Sequence, residues 1–284
     1  MRRHMKLLLP IVALALVAAA CGDSDDTTTT AAAAATTTTA AGSAADDLGG
    51  REVTVGVENL YPPFNYIPSD STEGAGWDYD VWREICTRLN CTAVFVEAAW
   101  PDVIVEVGQG QFDTAADGIS ITEERKATVA FSDPYMTTEQ KFMIRVDEDR
   151  YGSVQSFLDD ADAQLGTQVG STNELLGSEL MADYGGDARI DAFESFPVAV
   201  LALINGDVDA VIMDDVAGQG FKGANPGALK LIDEALQSDP LGFIYAHDSE
   251  LIAPVNRVIA DMLADGFLDS MTVKWFVNFD PDNP

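Results

Sequence analysis

Apolar positions alternate with polar ones in "REVTVGV", where Val53, Val55 and Val57 share one side of an extended segment; period two predicts a strand. The next patterned segment, "DYDVWREICTRLN", changes period. Val81, Trp82, Ile85 and Leu89 fall on one helical face, which predicts an amphipathic helix. "CTAVFVE" reads as a strand, "PDVIVEVGQG" as a short helix ended by glycines, and "FDTAAD" as a strand. Strands alternating with helices in this way predict an open, mostly parallel sheet of an α/β fold.

The alternation then recurs. "DAQLGTQVG" reads as a strand, "STNELLGSELMADYG" as a capped helix, "RIDAF" as a strand, "SFPVAVLALINGD" as an apolar helix and "VDAVIMD" as a buried strand. Two local units resemble each other across the halves, "GQFDTAAD" and "GDVDAVIMD". Each runs from a helix through Gly, a variable residue, an apolar residue and Asp into a strand that ends in Asp. Asp117 and Asp214 are thereby placed at the carboxyl ends of strands in two sheets, the side on which open α/β sheets bind ligands. Two further helical runs, "ELIAPVNRVIADMLADG" and "FLDSMTVKWFVNF", close the chain.

The N-terminus departs from this pattern. Two arginines and a lysine precede a run of about 14 mostly apolar residues, Leu7 to Ala20, which is too short to span a bilayer and has the layout of a secretory signal. Its end, "LVAAAC", resembles the lipobox of bacterial lipoproteins. The resemblance implies cleavage after residue 20, diacylation of the Cys21 thiol and anchoring of an extracytoplasmic protein to the cell membrane. Residues 21–50 are rich in Thr, Ala, Asp, Ser and Gly, with no large apolar side chain before Leu48. Such a segment buries too little surface to offset its ordering entropy and is expected to be a flexible tether. The formal charge of the 284-residue chain is −31, and loss of the basic leader makes it more negative. A polyanion of this size repels nucleic acid. Cys86 and Cys91, five apart in "EICTRLNC", are expected to form a disulfide in an oxidising compartment. Too few sulfur and imidazole ligands lie nearby for a metal site, and no cofactor motif is present.

Arg125 stands out in so acidic a chain. It lies in "ISITEERKATVAFSDPY", where Thr122 is a good N-cap and Glu123 and Glu124 complete a helix start. A guanidinium projecting from that first turn offers a fork that fits a carboxylate. The alternative is a surface arginine paired with Glu123 or Glu124. Ser171 and Thr172 in "VGSTNE" begin another helix, whose first amides and hydroxyls suit an anion or simply cap the helix.

Taken in order, "YPPFNY", "GWDYDVWREICTRLN", "GQFDTAADGISITEERKATVAFSDPY", "VGSTNE", "INGDVDAVIMD" and the terminal "KWF" resemble the family 3 extracellular solute-binding proteins, the polar-amino-acid receptors of ABC importers. The usual "GFD" is "GWD" here, and the cysteine pair is not general in that family. The resemblance implies a type II periplasmic-binding-protein fold: lobe 1 from residues 51–143 plus 243–284, lobe 2 from 144–242, a two-segment hinge and a ligand cleft between the lobes. It also implies site roles. Arg125 would grip the α-carboxylate of an amino acid, flanked by Gly118 and Ser120, with Ser171 and Thr172 as a second grip from the far lobe. Asp214 would take the ammonium, while Asp215 would cap a helix or face solvent. Tyr61 and Trp100 would cover the two sides of the ligand or belong to the core, to which Trp77 and Phe64 are assigned. Glu58 matches a position that contacts the side chain of basic ligands, and Asp117 replaces a residue that is often small. Two carboxylates there favour a basic side chain, with a polar neutral one as the alternative.

The expected function is capture of a free amino acid by hinge closure and delivery to an ABC permease, by a monomer without a catalytic residue. Two alternatives share the fold. One is a cyclohexadienyl dehydratase-like lyase using Asp117 or Glu174 as an acid. The other is a sensory binding protein. Once the leader is removed, His247 is the one histidine left, so a Ser-His-Asp arrangement has no support.

Overall fold

A computed structural model of the chain describes residues 46–281. The expected signal segment, Cys21 as the expected lipidation site and most of the expected tether lie outside them. Thirteen strands are found among the described residues: β1 Glu52–Val57, β2 Leu60–Tyr61, β3 Asn65–Tyr66, β4 Thr92–Glu97, β5 Thr114–Ala115, β6 Ala130–Phe131, β7 Met136–Arg145, β8 Leu165–Gln168, β9 Ile190–Phe193, β10 Ala210–Asp214, β11 Leu229–Leu231, β12 Gln237–Leu241 and β13 Ile244–Tyr245. The α-helices are α1 Trp77–Leu89, α2 Asp102–Gly108, α3 Val154–Leu158, α4 Thr172–Met181, α5 Phe196–Asn205, α6 Asp215–Ala224, α7 Ile252–Ala264 and α8 Phe267–Thr272. None of the helices among the described residues is long and apolar enough to cross a membrane.

The strands form two principal sheets, in the orders β4-β1-β5-β13-β6 and β11-β7-β10-β8-β9, with β12 also on β7. Each has a parallel heart. β1 pairs parallel with β4 and β5, and β8 pairs parallel with β10 and β9. Antiparallel strands complete both sheets. Each sheet is the centre of one α/β lobe, as expected from the repeated alternation.

All of β7, from Met136, belongs to the second sheet, where it pairs with β10, β11 and β12. The chain therefore passes from the first sheet to the second before residue 136. The return crossing lies between β12, which ends at Leu241, and β13, which starts at Ile244. A ten-residue strand finds its partners up to about a hundred residues away, so local pattern does not mark where it leaves one lobe for the other.

Helix α1 shows how the sequence builds these layers. Trp77, Val81, Trp82, Ile85 and Leu89 are buried on one side, and Asp78 and Asp80 occupy the first turn, where the helix dipole favours acids. The helix ends at Asn90, whose left-handed φ of 52° lets the chain reverse. The Cys86–Cys91 disulfide spans that reversal. Buried apolar residues from α1, α7, α8, α5 and α6 join one continuous core. Smaller clusters fill the remaining faces, under α2 in the first lobe and under α3 and α4 in the second.

Candidate functional site

The carboxyl ends of the parallel strands of both lobes face each other across one cavity. Glu58 follows β1, Asp117 and Gly118 follow β5, Gln168 ends β8 and Asp214 ends β10. All ten residues expected to touch a ligand line this cavity: Glu58, Tyr61, Trp100, Asp117, Gly118, Ser120, Arg125, Ser171, Thr172 and Asp214. The cavity is narrow, with a volume of about 20 Å3. Four contacts cross from lobe to lobe within it. The Tyr61 hydroxyl donates to Asp214 Oδ2 at 2.5 Å, Gln168 Nε2 to Glu58 Oε1 at 2.8 Å and Arg125 Nη2 to the Gly170 carbonyl at 3.5 Å. The hydroxyls of Ser120 and Thr172 meet at 3.3 Å.

Arg125 is set by local geometry. Thr122 Oγ1 accepts the Arg125 N–H at 3.1 Å, the bond expected of an N-cap. The helix it opens is only the 3-10 turn Arg125–Ala127, because the chain must enter β6 three residues later to pair with β13. The guanidinium donates Nη1 to the Ser120 carbonyl at 3.0 Å and lies 5.0 Å from the Trp100 ring centroid, within cation–π range. Neither Glu123 nor Glu124 pairs with it: Glu123 binds Lys126 instead. Arg125 forms no salt bridge among the described residues, although its side chain is turned into the cavity. Burial lowers its pKa to about 10, opposed first by Asp214, so it stays charged at neutral pH.

Facing it is the start of α4. Ser171 is the N-cap: its Oγ accepts the Glu174 N–H at 3.0 Å and donates to the Gln168 carbonyl at 2.7 Å. Glu174 Oε2 accepts the Gly170 N–H at 2.7 Å, and Glu174 is not among the residues lining this cavity. The first amides of α4 have no intrahelical acceptor and, with the Thr172 hydroxyl, present donors beside the guanidinium. Gly170 has φ 73°, and a Cβ there would sit 2.6 Å from Pro101; only glycine lets the far lobe approach so closely. Gly118, at φ 56°, is similarly confined by Phe64 and Tyr61.

The opposite side of the cavity is acidic. Asp214, 4% exposed, has one oxygen on Tyr61 and the other, Oδ1, buried without a hydrogen-bond partner among the described residues. Burial raises its pKa to about 7, against the Tyr61 bond, which lowers it. Burial likewise raises Asp117 to about 7, opposed first by a hydrogen bond from Asn65. Glu58 is raised to about 9, by burial and then by the nearby Asp117. Tyr61 is both wall and core, stacked between Phe64 at 5.6 Å and Phe196 at 5.0 Å. Trp77 and Phe64 are fully buried, as assigned. Asp215 differs from both expectations. It is the first residue of α6 and accepts from Thr138 Oγ1 and the Glu139 N–H, tying that helix to β7. His247 is exposed and outside the cavity.

Three lining residues are absent from the sequence reading: Gln168, Asn173 and Phe196. Gln168 carries the same signal as Asp214, a polar residue at the carboxyl end of a parallel strand. Asn173 and Phe196 stand in the first turns of helices and have no distinguishing pattern.

The profile of the bacterial extracellular solute-binding proteins, family 3, matches residues 53–278. The chain belongs to this family. It is 28% identical over 234 residues to the histidine-binding periplasmic protein of Escherichia coli (strain K12), covering 80% of this chain and 88% of that one. Among solved structures, an ancestral arginine-binding protein bound to arginine superposes with a TM-score of 0.72 at 29% identity, covering 79% of this chain and 98% of the other. The ancestral amino acid-binding protein AncCDT-1, a precursor of cyclohexadienyl dehydratase, superposes with a TM-score of 0.71 at 29% identity, with 79% and 95% covered. As a family 3 solute-binding protein, the chain has the type II periplasmic-binding architecture.

Proposed function

We propose that this family 3 protein captures a free amino acid with a basic or polar side chain in the cleft between its lobes and delivers it to an ABC permease. One observation carries the reading: a guanidinium turned into the cavity with no carboxylate paired to it faces an aspartate with a buried, unpartnered oxygen. An α-amino acid supplies the complement of both, a carboxylate for Arg125 and an ammonium for Asp214. Gly118, Ser120, Ser171 and Thr172 supply further donors around the carboxylate. Trp100 and Tyr61 cover the flanks, and Glu58 and Asp117 face the side chain. The lobe-to-lobe contacts at these same residues couple capture to closure, a hinge motion that excludes water and strengthens the charged bonds. Lipidation of Cys21 would hold a monomeric receptor at the outer face of the membrane, where the tether keeps it close to the permease.

A thermal-shift screen over the standard amino acids, ornithine and citrulline tests this. A ligand at 100 times its Kd adds about 2.7 kcal/mol to stability. The expected result is a rise in Tm with one or more amino acids, strongest for basic ones. No shift with any of them would refute the reading. Incubation with prephenate and arogenate separates capture from the lyase alternative, and turnover of either would favour the enzyme.

A further inference from the structure

Behind the cavity, Asn65, which does not line it, joins Asp117 of its lining to a second acid, Asp78, that does not line it either. Its Nδ2 donates to Asp117 Oδ1 at 2.6 Å, to Asp78 Oδ2 at 3.0 Å and more distantly to the Ala116 carbonyl at 3.4 Å. Its Oδ1 accepts the Asn59 N–H at 2.6 Å. That backbone donor settles the orientation of the amide, because only the oxygen can accept it. Asn65 and Asp78 are both 0% exposed, and Asp78 Oδ1 has no partner among the described residues. One amide group thus lies between two buried carboxylates, one on α1 and one after β5, and fixes the loop that carries Glu58.

Two carboxylates that share one amide in a dry interior cannot both carry charge without a cation. Asp78 has none bearing on it, and burial pushes it well above the usual carboxylate range. Asp117 opens onto the cavity and feels Arg125. Negative charge therefore settles on Asp117. Glu58 already accepts from Gln168 and holds its proton to about pH 9.

We propose that Asn65 and Asp78 are a positioning pair that holds Asp117 as the charged acid of the cleft, and that Asp117 rather than Glu58 selects ligands with a positively charged side chain. This rests on the amino-acid reading of the site given above. The titratable groups bearing on Asp117 are Glu58, Tyr61, Asp78, Arg125 and Tyr135. Arg125 is the single cation among them.

L-Arginine and L-citrulline are the probes, since citrulline replaces the guanidinium by a neutral group of nearly the same shape. Asp214 meets the α-ammonium of both, so its titration cancels in the ratio of their affinities. Calorimetric titration of the purified full-length protein at pH 6 and pH 8 is expected to show the arginine:citrulline affinity ratio rising roughly tenfold, because Asp117, at about 7, passes from about one-tenth to about nine-tenths ionised. Asn65→Ala is expected to lower arginine affinity tenfold or more while citrulline affinity moves less than about threefold. Asp78→Asn, neutral and still able to accept from Asn65, is expected to keep the preference. A ratio flat with pH in the unaltered protein overturns the proposal, even if Asn65→Ala does not fold. Parallel loss of both ligands in Asn65→Ala, or loss of preference in Asp78→Asn, also overturns it. Binding of neither probe but of another amino acid overturns the charge selection alone. Binding of no amino acid would remove the reading of the site on which the proposal rests.

Discussion

Three acids in the cleft take up protons on folding, and this gives the ligand-free protein an unusual response to pH. An acid whose pKa is raised by folding binds more protons in the native state than in the unfolded chain between the two values. Stability then falls as pH rises through that window. For Asp117 and Asp214 the window runs from 3.8 to about 7; for Glu58 it runs from 4.5 to about 9. Each pH unit inside a window costs about 1.4 kcal/mol per group. Between pH 5 and pH 7 each aspartate accounts for about 2.5 kcal/mol and the two together for about 5 kcal/mol. In a domain of this size 1 kcal/mol moves Tm by about 2–4 °C, so the two aspartates alone are expected to lower Tm by about 10–20 °C from pH 5 to pH 7, and Glu58 adds to the fall in the same direction. Differential scanning fluorimetry at constant ionic strength measures it. Asp117→Asn and Asp214→Asn hold the shape without the titration, and each should remove its share. A Tm that is flat or rises with pH, or the same slope in both variants, would refute the reasoning.

Arg125→Ala should weaken the best ligand by about 2–5 kcal/mol, roughly thirtyfold or more, since it removes one side of a buried charge-assisted pair. Arg125→Lys should recover only part of this, because an ammonium lacks the fork, and equal affinity in calorimetry for all three proteins would refute the carboxylate assignment. Replacing Cys86 and Cys91 by serine should cost about 2 kcal/mol, the value for so short a loop, read as a shift of the urea midpoint; an unchanged midpoint would contradict the bridge.

Much of the architecture was legible in the chain because period is a local property. The alternation in "REVTVGV" and the apolar face of α1 needed no knowledge of distant residues. The placement of Asp117 and Asp214 at strand ends, of Ser171 at a helix start and of Thr122 as the cap that orients Arg125 followed from the same local rules. What those rules leave open is which elements meet. The partners of β7 lie up to about a hundred residues away, so the crossing between lobes became visible only in the sheet. Tyr61 and Asp214 are 153 residues apart, and Glu58 and Gln168 110. Asn65 is a turn-like residue in "PPFNY" until packing places it between Asp78 and Asp117. Residue type and spacing thus specified the elements and the chemistry at their ends. Burial, and with it the protonation of every acid in the cleft, was decided by the assembled lobes, since desolvation depends on neighbours that only the folded chain brings together.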